Sequence, residues 1–129
     1  MTKNVYTVDA TTIGGDGVIV PKDLVDEPEA YRLVNVPFWS AWAIKVVNKA
    51  DTEVEVQALT TTSDDAREFT EYRTDGTPET VPTGTPPANV VQVEGTAIAQ
   101  AFAAELTAST TPSSGEVKVV FNSRLYGGR

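Results

Sequence analysis

Neither cysteine nor histidine occurs anywhere in these 129 residues. Without cysteine the chain has no disulfide framework, no thiol nucleophile and no Cys-based zinc or iron–sulfur site. Without histidine it lacks the usual general base and the commonest transition-metal ligand. Together these absences remove Ser-His-Asp, Cys-His and His-metal chemistry, while leaving the compartment open. Cations are also scarce: 10 Lys and Arg stand against 18 Asp and Glu, a net charge of −8. Affinity for nucleic acid comes from cations that neutralise phosphate, so no nucleic-acid partner is expected. The acidic excess runs along the whole chain rather than in one tail, which suits a soluble surface and would also suit high salt. Long apolar runs are missing too. No stretch approaches the roughly 20 residues of a membrane-spanning helix, and residues 1 to 8 lack the apolar core of a signal peptide, so no membrane partner is expected.

What is present reads as one domain of many short strands. The length suffices to bury a core without staples. Phe102, Ala104, Leu106 and Ala108 alternate with Ala103, Glu105 and Thr107, and Val117, Val119 and Phe121 alternate with Glu116, Lys118, Val120 and Asn122. Successive strand side chains point to opposite faces, so the first set of each run can enter a core. Between the runs, Thr111-Pro112-Ser113-Ser114-Gly115 supplies a fixed φ and a residue tolerant of positive φ, and the segment is expected to be a β-hairpin. A second hairpin is expected from Ala43–Asn48 and Thr52–Leu59, turned at Asn48-Lys49-Ala50-Asp51, with Lys45 and Val47 beside Glu53, Glu55 and Gln57. Further short strands are expected at Val5–Val8, Val18–Val20, from Tyr31 to the limit set by Pro37, around Phe69, at Thr80–Val81 and at Val90–Val93. Thr96 to Leu106 is alanine-rich, with Ile98, Phe102 and Leu106 at helical spacing; the strand reading is preferred from Phe102 onward, and 96–101 stays open to a helical turn. The fold expected is all-β: a single antiparallel β-sandwich of jelly-roll or immunoglobulin-like type over residues 31–129, preceded by an extended N-terminal arm over residues 1–30.

Candidate chemistry is thin. Gly14-Gly15-Asp16-Gly17 is followed by Val18-Ile19-Val20 where a phosphate loop needs Lys and Ser or Thr, so it reads as a turn. A Ca²⁺ site centred on Asp16 is a minor alternative, because an EF-hand needs regularly spaced acids. Glu53 with Glu55 and Asp64 with Asp65 are paired carboxylates, but catalysis needs two carboxyls in contrasting environments within a cleft, and these read as solvated charges. No catalytic residue, cofactor site or metal site is assigned, and the chain is not expected to be an enzyme. The richest cluster is Phe38-Trp39-Ser40-Ala41-Trp42. Its rings can fill the end of the core, anchor a protein partner, or stack on a sugar. Phe38, Trp39 and Trp42 are the candidate interface residues.

Leu106-Thr107-Ala108-Ser109, then Thr111-Pro112-Ser113-Ser114-Gly115, then Val117-Lys118-Val119 resembles the closing strands of small β-sandwich accessory proteins encoded by tailed viruses of bacteria and haloarchaea. The stretch Ile44 to Val56 resembles their paired strands joined by an Asn…Asp turn. The resemblance covers about two-thirds of the chain, leaves the first 30 residues unmatched, and departs at Ala101–Ala104, where the family has bulkier residues. It carries no functional residue across. It implies a virion component made in the host cytoplasm: a capsid decoration protein, turret or tail accessory. On that reading the partners are other copies of the chain, in a symmetric homo-oligomer such as a trimer, and the major capsid protein, with residues 1–40 making contacts. The other function class is a carbohydrate- or cell-surface-binding module using Trp39, Trp42 and Tyr72.

Overall fold

The computed structural model describes residues 5–20, 34–35, 40–61, 70–71, 78–97 and 101–125. Among the described residues ten strands appear in chain order: β1 (Val5–Asp9), β2 (Val18–Val20), β3 (Val34–Asn35), β4 (Ser40–Asn48), β5 (Val54–Thr61), β6 (Thr70–Glu71), β7 (Glu79–Val81), β8 (Val90–Ala97), β9 (Ala101–Thr107) and β10 (Glu116–Leu125). A 3₁₀ turn, Ala10–Thr12, follows β1. Every pairing is antiparallel. One sheet, here sheet A, has the order β1-β10-β4-β8. The other, sheet B, runs β2-β9-β5-β6, with β3 extending the β2 edge and β7 the β6 edge.

Alternation decides which face of each strand is buried. In sheet A, Tyr6, Val119 and Val46 form one transverse row and Phe121 and Ile44 the next, with Val91 and Val93 packed at the β8 side. Tyr6 and Phe121 meet edge to face at 5.7 Å and 78°, an arrangement worth about 0.5–1.5 kcal/mol beyond area burial. Sheet B sends Val20, Ala104 and Ala58 in one row and Leu106 and Val56 in the next into the same core. Both inner faces thus share one apolar cluster, which makes the molecule sandwich-like.

Both expected hairpins are corrected. β4 lies in sheet A and β5 in sheet B; β9 lies in sheet B and β10 in sheet A. Each turn therefore forms an arch that carries the chain across the core. Lys45 sits between Val120 and Gln92, and Glu55 between Thr107 and Thr80, so the expected pairing of Lys45 and Val47 with Glu53, Glu55 and Gln57 does not exist. The reason is geometric: two alternating runs joined by a turn bury the same residues whether they lie side by side or face one another.

The two arches pin each other. Ser113 N–H donates to Asp51 Oδ1 at 2.9 Å, Asp51 N–H to the Ser114 carbonyl at 3.3 Å, and Lys49 N–H to the Glu116 carbonyl at 2.9 Å. Asn48, 1% exposed, closes the first arch from beneath: its amide nitrogen donates to the carbonyls of Thr52 (3.1 Å) and Val81 (3.0 Å), while its oxygen accepts from Ala50 N–H (2.9 Å). Buried Asn89 donates its side-chain amide to the Asn48 carbonyl and accepts Asn48 N–H at its own carbonyl, both at 2.9 Å. Paired this way, the Asn48 amide avoids the cost of about 1–3 kcal/mol for a stranded buried polar group, while Asn89 satisfies its amide nitrogen and leaves its Oδ1 without a partner.

The expected arm is corrected as well, over its described part. β1 pairs with β10, β2 pairs with β9, and Tyr6, Val8, Ala10, Ile13 and Val20 belong to the core. Val5–Asp9 and Val18–Val20 are therefore strands of the two sheets, joined by the 3₁₀ turn and the glycine loop; residues 1–4 and 21–33 lie outside the described residues. The alanine-rich stretch is strand on both sides of residues 98–100, with Thr96 and Ala97 ending β8 and Ala101 opening β9.

Candidate interaction surface

The aromatic cluster divides. Trp42 is 2% exposed and belongs to the core, opposite Gly95 on β8, a position that adds no side chain beside the indole. It is therefore no surface anchor: its neighbours Ile44 and Val46 share its inward parity on β4. Phe38, Trp39 and Tyr72 lie outside the described residues. A stacking platform built jointly on Trp39 and Trp42 thus loses its second ring to the core.

Gly14-Gly15-Asp16-Gly17 is a turn. Gly17 N–H donates back to the Gly14 carbonyl at 3.3 Å, Ala108 N–H donates to the same carbonyl at 3.1 Å, and Gly17 has φ +87°. The glycines thus fasten the entry of β2 to the exit of β9. Asp16 is exposed, and no group of three or more acidic residues that could hold a metal ion occurs among the described residues. Glu53 is exposed just before β5, and Glu55 is half-buried within it, between Thr107 and Thr80; Asp64 and Asp65 lie outside the described residues.

The surface that stands out lies on the outer face of sheet A. Residues that alternate with the core there form two adjacent rows, Val5–Val120–Lys45–Gln92 and Thr7–Lys118–Val47–Val90. At the centre, on β10 and β4, two valines and two lysines make a checkerboard: Val120 is opposite Lys45, and Lys118 is opposite Val47. Val5 is 43% exposed, and Val120, Val47 and Val90 are half-buried. An outward polar face is the rule for a two-layer antiparallel sandwich. Here valines interrupt that rule on adjacent strands.

Sheet B differs. Leu59 (2% exposed) and Ala103 (0%) are buried although they alternate away from the core, so the outer face of sheet B is covered around that row. Beyond it, Gln57 opposite Glu105 and Glu55 opposite Thr107 remain half-exposed. The side chain of Glu105 runs across Gly17, where an added Cβ would come within 2.9 Å of its carboxylate oxygen. One outer face therefore carries valine and lysine at its centre, with Asp9, Glu116 and Glu94 in the flanking rows; the other carries Glu105 between Ile19 and Gln57, and Glu55 beside Thr107.

The burial of Trp42 had a sequence signal, its inward parity with Ile44 and Val46. The valine-lysine face had one too, since Lys45, Val47, Lys118 and Val120 alternate with core residues, but only the β4–β10 pairing brings the four together. No protein-family model, no curated protein and no solved structure matches this chain.

Proposed function

We propose that the chain is a structural virion protein, a decoration or cement protein that stabilises the head of a tailed virus as a symmetric homo-oligomer. The observation that carries this reading is the outer face of sheet A, where Val5 is exposed and Val120, Val47 and Val90 are half-buried, one valine on each of four strands. A subunit that works alone gains nothing from such a face, whereas one that repeats around a symmetry axis covers it. The resemblance of residues 106–119 to accessory proteins of tailed viruses points the same way. With it goes the finer classification, a jelly-roll- or immunoglobulin-like sandwich, supported by arches that send successive strands to opposite sheets. The proposed partners are other copies of the chain and the major capsid protein, and the proposed location is the capsid surface.

The test is immunogold labelling of particles purified from a lysate of a culture carrying the gene. Label spread over the heads is the expected result. Label confined to tails or host envelopes, or recovered only with free protein, would overturn the reading. The carbohydrate-module reading has lost support with the burial of Trp42.

A further inference from the structure

We infer that the subunits associate head to tail, the valine-lysine face of sheet A docking on the glutamate face of sheet B of the next copy. This rests on the reading of the chain as a self-assembling structural protein and names the surfaces that reading requires. Three observations lead to it. First, Lys45 and Lys118 occupy the two central strands of sheet A, while Glu55 and Glu105 occupy the two central strands of sheet B. Second, the spacings match. Lys118 lies opposite Val47, two residues from Lys45, and Glu105 lies opposite Gln57, two residues from Glu55. Each pair is thus a diagonal pair on neighbouring antiparallel strands, with the two positions about 7–8 Å apart. Third, the two pairs face away from one another across the core, so Lys45 and Lys118 cannot reach Glu55 and Glu105 of the same copy; the acids on their own face, Asp9, Glu94 and Glu116, lie in the rows beside them.

A two-fold contact of sheet A with sheet A would set lysines against lysines where its axis passes through their centre, and lysines against Asp9, Glu94 and Glu116 of the flanking rows where it does not, so the variants below decide between the two contacts. The chain has a net charge of −8, so a contact that fails to bring cation to anion is opposed by repulsion between copies. Docking A on B places two cations over two anions and covers the valines. Because the two faces differ, the contact is heterologous, and its repetition closes a ring or extends a filament according to the rotation per subunit.

The experiment uses sedimentation velocity over a concentration series with three proteins: the wild type, Lys45→Glu with Lys118→Glu, and Glu55→Lys with Glu105→Lys. These side chains alternate away from the core, and circular dichroism checks that each variant is folded; K45E alone, at an exposed position, serves if a double variant is not. The wild type should associate, and each double variant alone should associate about 100-fold more weakly or not at all. Mixed in equal amounts the two variants should assemble again, since one now carries two acidic faces and the other two basic ones. Persistent assembly of the folded Glu55→Lys, Glu105→Lys variant would overturn the head-to-tail contact, as would failure of the mixture to recover, with oligomerisation itself left standing. A wild type that stays monomeric at every concentration would remove the homo-oligomer from the proposed function and this inference with it.

Discussion

At Gly115 the backbone has φ +100°, a region that favours glycine, and an added Cβ would overlap the Lys49 carbonyl oxygen and come within 2.6 Å of Ala50 Cα. Both obstacles are backbone of the opposite arch, which cannot move without breaking the bonds that join the arches. Gly115→Ala therefore combines conformational strain with overpacking and should cost about 2–5 kcal/mol in chemical denaturation. Gly15→Ala is the control: a Cβ there meets nothing within 4 Å, and the change should stay within about 0.5 kcal/mol. Equal effects at the two sites would refute the arch contact. Asp9 makes a second prediction at this scale. Its Oδ1 accepts from the Thr11 hydroxyl at 2.8 Å and from Thr11 N–H at 3.0 Å, capping the 3₁₀ turn, and these bonds hold its carboxyl below the usual carboxylate range. A group with a lowered folded-state pKa adds stability above its unfolded value, about 3.9, and loses it as pH falls through the folded value. Asp9→Asn should therefore show a smaller fall in Tm than the wild type between about pH 5 and about pH 2. A difference of the opposite sign would show that the Thr11 bonds do not favour the ionised form.

At the scale of elements, the strands were legible and their partners were not. Alternation located β4, β5 and β10, because Ile44, Val46, Val54, Val56, Val117, Val119 and Phe121 stand at every second position and all enter the core. The chain-reversing residues of Thr111–Gly115 and Asn48–Asp51 were equally visible, and both segments are bends between strands. Whether a turn joins neighbours in one sheet or crosses between two depends on which other strands compete for each edge. Here β10 and β8 flank β4, and β9 and β7 flank β5, contacts made by residues far away in sequence. The helical signal in the alanine-rich stretch also has a structural cause. Consecutive Ala103 and Ala104 are both 0% exposed, as Ala58 and Leu59 are both at 2%, so sheet B is buried on both faces there and the period of two is blurred. The integration of β1 and β2 was illegible for a related reason: a five-residue and a three-residue edge strand carry too little pattern to outweigh the intervening glycines. It has a direct consequence. Deleting residues 1–30 removes Tyr6, Val8, Ala10, Ile13 and Val20 from the core and uncovers one edge of each sheet, so the truncated chain should lose its cooperative thermal transition by circular dichroism. A detached arm would leave that transition in place, and such an outcome would overturn the assignment of β1 and β2 to the sandwich.

For the whole molecule, the acidic composition and the two-faced sandwich make opposite demands on salt. A net charge of −8 on a single small domain repels itself within each subunit, and screening relieves that repulsion. The lysine-glutamate contact proposed between subunits is attraction between the same kinds of charge, and screening weakens it. The Debye length shrinks from about 10 Å at 0.1 M salt to about 3 Å at 1 M, which spans the separations involved in both effects. Raising salt across this range should therefore increase the Tm of the dissociated subunit, measured by calorimetry at low protein concentration, while reducing the oligomer fraction seen in sedimentation at high concentration. The valines bound the second effect, because burial of apolar area does not depend on charge and leaves residual association at high salt. If association instead strengthens steadily with salt, the valines govern the contact and the lysine-glutamate match does not. If the Tm of the subunit falls with salt, ion pairs within the fold outweigh its net self-repulsion.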